Sequence, residues 1–247
     1  MKYLFCITGY GGSGKDTFLK ELQNLIHINT FPTYSDRPSR GKNENSSTHC
    51  ISSDEFNKNV AAGFFLEVRK YITNTDNNGK HNIWRYATPD ITKLMDNNSV
   101  AAMVTSFDQF CCIYDAAPQE LCVVPIVINA SKAMILYRSL MRLFESNDIN
   151  ILCDDTDINK LNDCDKMVLE VASRFLRDLN QQNELEKIPA ALKYTNNNID
   201  DLKHNVYDLG MAISKYNYMD TMGCINNTKF TTILEQLNEF MVNREIN

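Results

Sequence analysis

Residues 9–17, Gly-Tyr-Gly-Gly-Ser-Gly-Lys-Asp-Thr, follow directly on a short apolar run, Tyr3–Thr8, and lead into a helical pattern. That order of strand, glycine-rich turn, lysine and helix predicts a phosphate cradle. Glycine lets consecutive backbone N–H groups point at an anion, the helix opening near Gly14 adds its positive end, and Lys15 supplies a point charge for the outer phosphates. Gly9, Gly11, Gly12, Ser13 and Gly14 are the cradling positions, and Lys15, Asp16 and Thr17 complete the site. The pattern G-x-x-x-x-G-K-[ST] is met except at its last position, where Asp16 replaces the hydroxyl residue and Thr17 follows. An ordinary turn between a strand and a helix does not need four glycines within residues 9–14 ahead of a lysine.

The chain has 247 residues, enough for one large α/β domain with inserted subdomains or for two small domains. With a net charge of −6 and a pI of about 5.3 it offers no general basic surface for duplex nucleic acid, so small soluble partners are expected. The longest apolar runs fall far short of a membrane span, and Met1 and Lys2 lead straight into strand residues with no small-residue cleavage site. A cytoplasmic protein is the expectation. The eight cysteines form no C-x-x-C pair and only four histidines are present, which predicts reduced structural thiols rather than zinc or a disulfide framework. Asparagine clusters at 43–45, 74–78 and 196–198 read as turns.

Periodicity alternates along the chain as a parallel α/β protein requires. Tyr3–Thr8 reads as a buried strand, Lys15–Leu25 as a helix and Ile28–Tyr34 as an extended segment. Ser53 begins an N-cap pattern, and Phe56, Val60 and Phe64 follow at four-residue spacing in a short helix ending near Gly63. Residues 69–86 suggest a hairpin-like excursion with a long polar tip, Asp90–Met95 a helix, and Val100–Ser106 and Val123–Asn129 two buried strands. Lys132–Phe144 is helical and places Arg138 and Arg142, four apart, on one face. After an acidic stretch, Met167–Leu179 reads as a helix with a stripe of Val168, Ala172, Phe175 and Leu179, leaving Arg174 on the open side. A last strand at Pro189–Thr195, a helix at Asp200–Ser214 and a final helical pattern at Thr231–Val242 close the chain.

Four stretches together resemble guanylate kinase and its nucleoside-monophosphate kinase relatives. Beside the phosphate loop, the P-loop of that family, Thr33-Tyr-Ser-Asp-Arg37-Pro-Ser-Arg40 looks like the segment S-x-[ST]-T-R-x-P-R. Ile51-Ser-Ser-Asp-Glu-Phe56 through Gly63-Phe-Phe-Leu-Glu67 is similar to V-S-x-x-E-F followed by G-x-F-[IL]-E, and Tyr86-Ala-Thr88 sits where the family has Y-G-[ST]. Order and spacing agree over about residues 4–210, with insertions near residues 73–82 and 148–163. The resemblance implies a P-loop NTPase core of the α/β class, a twisted parallel sheet flanked by helices, over residues 1–215. It further implies an acceptor-binding insertion at 33–90 and a lid at 138–185, and leaves 216–247 as a C-terminal helical extension. The implied activity is phosphoryl transfer from ATP, with Mg2+, to a nucleoside or deoxynucleoside monophosphate, GMP or dGMP being the leading acceptor.

Such a reaction brings two anions together, so cations must line both sides and catalysis is mostly positioning plus charge neutralisation. Lys15 serves the donor side. Arg37 and Arg40 resemble the pair that grips the acceptor phosphate, a task for which the planar guanidinium fork is suited. Arg138, Arg142 and Arg174 resemble the lid arginines, although Arg177 competes with Arg174 for the alignment. Glu67 matches the carboxylate that accepts hydrogen bonds from guanine, and Thr33, Tyr86 and Thr88 match hydroxyl-bearing neighbours.

Departures from the pattern are concentrated at two places. Where the family ends a strand with D-x-D-x-Q-G, this chain has Val104-Thr105-Ser106-Phe107-Asp108-Gln109, so both acids are lost unless the register slips to use Asp108. Thr105 is then the acceptor-side residue at that strand end. Thr48 stands where a phosphate-binding tyrosine is expected, Ala87 replaces a glycine, and Trp84 is either a hydrophobic plug or a stacking platform. The second departure is Asp16, which would hold Mg2+ directly or through water, with Thr17 as the neighbouring candidate ligand. The Lys-Asp-Thr form also resembles some phage deoxynucleoside-monophosphate kinases, for which a deoxy- or modified nucleotide would be the acceptor. Guanylate-kinase-like modules that bind proteins instead of catalysing typically lose the loop glycines and lysine, both of which are present here. A kinase acting within a polynucleotide would need a basic stripe.

Overall fold

The first strand, β1 (Lys2–Gly9), shows by its alternation why the sheet is covered on both sides. Leu4 and Cys6 join one core cluster while Phe5 and Ile7 join another, as a period of two demands of a strand buried on both faces. The computed structural model describes residues 2–39, 47–75, 81–96, 99–146, 175, 192–221, 236 and 239. After β1 come α1 (Lys15–Ile26), β2 (Asn29–Thr30), β3 (Thr33–Ser35), β4 (Thr48–Cys50) and α2 (Ser53–Ala61). A hairpin of β5 (Phe65–Thr75) and β6 (His81–Pro89) follows, then α3 (Ile91–Leu94), β7 (Val100–Thr105) and α4 (Phe107–Ala116). The chain continues through β8 (Leu121–Asn129), α5 (Lys132–Ser146), β9 (Leu192–Thr195) and α6 (Ile199–Thr221).

Five strands form a wholly parallel sheet in the order β2-β7-β1-β8-β9. Side chains of α3, α4 and α5 cover one face, with Ile91, Phe110, Ile113 and Ile135 in the cluster around Leu4 and Met103. The other face is covered by α1 and α6, through Phe18, Leu22, Leu202 and Leu209 packed on Ile7 and Ile126. Burying a side chain of this size contributes roughly 1.5–3 kcal/mol, so these two clusters fix where the helices sit. The architecture is the expected α/β P-loop core. A second sheet, β4-β3-β6-β5, stands apart from it and carries α2 against one face through Tyr34, Ile51, Phe56, Phe65 and Ala87.

Several local expectations are corrected. The extended segment Ile28–Tyr34 is two strands in two different sheets, broken at Pro32, which has no N–H to contribute to a ladder. The cap of α2 is Ser52, one residue earlier than expected, and its hydroxyl accepts from the Glu55 N–H at 3.2 Å. Helix α4 was not anticipated; Ser106 caps it and Phe107, Phe110 and Ile113 bury its apolar side. Helix α6 runs to Thr221, beyond the Ser214 limit that periodicity suggested. The expected helix over 167–179 lies outside the described residues except for Phe175, which is helical and packs on the α4–α5 cluster. Among the described residues no helix is long and apolar enough to cross a membrane, and the five described cysteines are free thiols.

Candidate functional site

The glycine-rich turn joins the carboxyl end of β1 to the start of α1, the edge where parallel α/β sheets place their ligands. Gly9, Gly12 and Gly14 have φ of 154°, 85° and 93°, a region closed to most side chains. Space is equally restrictive, since a Cβ at Gly9 would lie 2.1 Å from the Ile128 carbonyl oxygen. Lys15 Nζ donates to the carbonyls of Gly9 and Tyr10 at 2.9 and 2.6 Å, so the ammonium is held under the turn. Ser13 Oγ is buried without a hydrogen-bond partner among the described residues, and so are Thr8 Oγ1 and Thr105 Oγ1, which are paired in register across β1 and β7. An orphaned buried hydroxyl costs about 1–3 kcal/mol. Three of them at this edge, beside a cradle that excludes side chains, fit a phosphate-bearing ligand.

Helix α5 reaches the turn through Arg138, whose Nη1 donates to the Gly12 carbonyl at 3.2 Å and Nη2 to the Asn197 carbonyl at 3.3 Å. Of the asparagine cluster 196–198, Asn198 does act as a turn residue, its Oδ1 accepting from the Asp201 N–H at 2.8 Å. Asn196 does not fit that description. It is fully buried, its Oδ1 accepts from Asn205, and its Nδ2 has no partner among the described residues and lies next to Gly14. The only sequence signal for it was its position just past a strand of the same sheet edge.

Asp16, in the first turn of α1, accepts a short hydrogen bond from the Ser47 hydroxyl just ahead of β4, which ties the loop to the second sheet. One carboxylate oxygen remains for Mg2+, a cation that usually takes one or two carboxylates together with substrate phosphates. Thr17 is exposed beside it and Gly11 is exposed at the tip of the turn.

The second sheet presents a polar wall toward the start of α4. Glu67 on β5 and Thr88 on β6 are directly opposite, as are Arg69 and Tyr86, so the period of two places all four on one face. Thr88 Oγ1 donates to Glu67 Oε1 at 2.5 Å, and Arg69 Nε donates to Glu67 Oε2 at 2.9 Å. The pair is largely buried, with side-chain exposures of 11% for Arg69 and 8% for Glu67. Gln109 Nε2 donates to both the Thr33 and Thr88 hydroxyls, at 2.9 and 3.0 Å, and Arg69 Nη1 donates to Ser106 Oγ at 3.3 Å. Burial, and next the negative charge of Glu67, push the nearby Cys112 thiol above its ordinary range.

Glu67, Thr33 and Thr88 are thus brought together as the sequence suggested, while Arg69 and Gln109 were missed. Arg69 had a legible signal, a spacing of two from Glu67 on a strand. The register does not slip to bring Asp108 in, because Asp108 is exposed in the first turn of α4 and Gln109 points inward in its stead. Arg37 is buried, donating to the Pro38 carbonyl at 2.9 Å, and its N–H meets Ser35 Oγ at 3.3 Å. Tyr86 packs edge-to-face on Tyr71 at 5.2 Å, Trp84 is half-buried opposite Tyr71, and Thr48 is half-buried in β4. Arg40 and Arg174 lie outside the described residues, and of Arg142 only the helical backbone is described.

No protein-family model matches this chain, and no curated protein matches it. Among solved structures it is similar to the crystal structure of guanylate kinase from Anaplasma phagocytophilum, with a TM-score of 0.52 over 87% of this chain and 86% of that one, at 12% identity. At that identity the likeness establishes a guanylate-kinase-like P-loop fold.

Proposed function

We propose that this protein transfers the terminal phosphoryl group of ATP to a nucleoside or deoxynucleoside 5′-monophosphate. The observation that carries the reading is the juxtaposition of a phosphate cradle with a second, polar wall hinged to it by the Asp16–Ser47 hydrogen bond and anchored at the neighbouring strand end by Gln109 and Ser106. A phosphate cradle and a polar wall facing one strand edge suit a phosphate donor and a second substrate whose polar groups the wall can pair. Lys15 leaves the carbonyls of Gly9 and Tyr10 to meet the donor's outer phosphates, and the N–H groups of Gly11–Gly14 hold the rest. Arg138 brings a guanidinium from α5 to the same loop, with Arg142 and Arg174 proposed to close the lid over the transferring group. Arg37, with Arg40, takes the acceptor phosphate, and Tyr86 adds a hydroxyl on that side. Asp16, with Thr17 as neighbour, holds Mg2+, which when bound offsets charge on the donor phosphates. Thr33, Glu67, Thr88 and Thr105 line the acceptor side, where the resemblance to guanylate kinase makes GMP or dGMP the first base to try.

The test is a coupled ADP-release assay over ribo- and deoxynucleoside monophosphates, with wild type and Lys15→Ala and with Mg2+ present or chelated. Transfer is expected with at least one acceptor, with loss of about 10²–10³-fold or more in Lys15→Ala at an unchanged melting profile. Equal rates in the two proteins would overturn the reading in favour of a protein-binding module.

A further inference from the structure

We infer that Arg69 is a specificity-determining residue of the acceptor site, and that the base it selects carries an imide edge, C=O, N–H, C=O, as in uracil, thymine, 5-substituted uracils and xanthine. The inference rests on the monophosphate-kinase reading for the placement of the base against Glu67. Its own warrant is the order of hydrogen-bonding groups along the wall. At one end, Thr33 Oγ1 accepts from Gln109 and has its proton uncommitted among the described residues, so it offers a donor. In the middle stands Glu67, an acceptor-only carboxylate that already takes one bond on each oxygen, from Thr88 and from Arg69. At the other end, Arg69 spends Nε on Glu67 and one Nη1 proton on Ser106, leaving Nη2 without a bond among the described residues. Thr88 stands between Thr33 and Glu67 in the strand order but is committed, donating to Glu67 and accepting from Gln109, so the wall's remaining groups read donor, acceptor, donor.

Its complement is an edge of acceptor, donor, acceptor. Guanine supplies the first two groups but presents its amino group third, where a guanidinium donor would face it. Adenine and cytosine turn a ring nitrogen lone pair toward the Glu67 carboxylate. An imide meets each partner, one carbonyl on Thr33, the ring N–H on Glu67 and the second carbonyl on Arg69. Sites built to pair buried polar groups reject a base that leaves them unmatched by large factors, since the wrong edge forfeits a bond and strands a desolvated donor. The loss of the two strand-end acids fits the same account, because Ser106 at that end braces a guanidinium instead of adding a second carboxylate.

The experiment measures kcat/KM for UMP, dUMP, dTMP, XMP, GMP, dGMP, CMP and AMP, and equilibrium binding of the same compounds without ATP, in wild type, Arg69→Ala and Arg69→Lys. Wild type should favour the imide bases over GMP by at least about tenfold in either readout, and Arg69→Ala should shift that ratio at least about tenfold toward GMP. Arg69→Lys keeps the charge beside Glu67, and therefore the fold, while losing the fixed fork; it should lie between the two. A wild-type preference for GMP, dGMP, CMP or AMP overturns the inference and leaves phosphoryl transfer standing. A uniform loss for all bases in both variants, at a wild-type ratio near one, also overturns it. Tight imide binding without transfer to any acceptor keeps the inference and fells the kinase reading, and absence of both binding and transfer fells both.

Discussion

The two walls of the site are made of different material. The phosphate loop is built from backbone, with three glycines at positive φ, carbonyls that hold Lys15, and a turn pressed so close to β8 that a single added carbon at Gly9 would collide with Ile128. The polar wall is built from side chains, contributed by β3, β5, β6 and the start of α4 and joined by a chain of hydrogen bonds from Arg69 to Thr33. A backbone site tolerates no added atoms but is indifferent to much of the chemistry around it. A side-chain site keeps its shape under substitution and changes what it recognises. This difference is why the loop keeps to a widespread pattern while the polar wall departs from the segments it resembles.

The contrast can be broken most decisively at Gly9. Gly9→Ala is expected to cost about 3 kcal/mol of stability, because the new carbon meets a backbone oxygen that cannot move away and the φ is strained for alanine. Urea unfolding measures it, and a loss below about 0.5 kcal/mol would mean that the loop is not held by its backbone.

A smaller effect is expected across the site. Gln109→Leu removes the amide that bridges Thr33 and Thr88, at about 1 kcal/mol net for each hydrogen bond. Stability should fall by about 2 kcal/mol, and KM for the acceptor should rise while KM for ATP stays put. Equal changes in both KM values would show that the two walls are one mechanical unit.

The smallest change is expected at the joint between them. Asp16→Ser restores the common loop pattern but is too short to keep the bond to Ser47, so stability should drop by about 1 kcal/mol and transfer at saturating Mg2+ should change by no more than a few-fold. The Mg2+ concentration needed for half-maximal rate should shift. A large loss of rate at unchanged Mg2+ dependence would assign Asp16 to holding the second sheet against the loop rather than to the metal.

The sequence by itself determined the phosphate loop and the α/β core. Strand, glycines, lysine and helix are contiguous in residues 3–17, and the requirements they meet, positive φ and a charge at a helix start, are local, so each residue carries its own signal. The same holds for β1, β7 and β8, whose unbroken apolar runs announce burial on both faces. Glu67, Thr33 and Thr88 were legible only through resemblance. What they touch was decided by tertiary structure. Arg69 meets Glu67 because a strand period of two and the pairing with Tyr86 put them side by side, and Gln109 reaches Thr33 across 76 residues of sequence because α4 begins where β7 ends. Ser47 reaches Asp16 only once the second sheet stands beside the loop. Hydrogen bonds between side chains distant in sequence leave no periodic trace, because the residue types that make them serve equally well on a solvated surface.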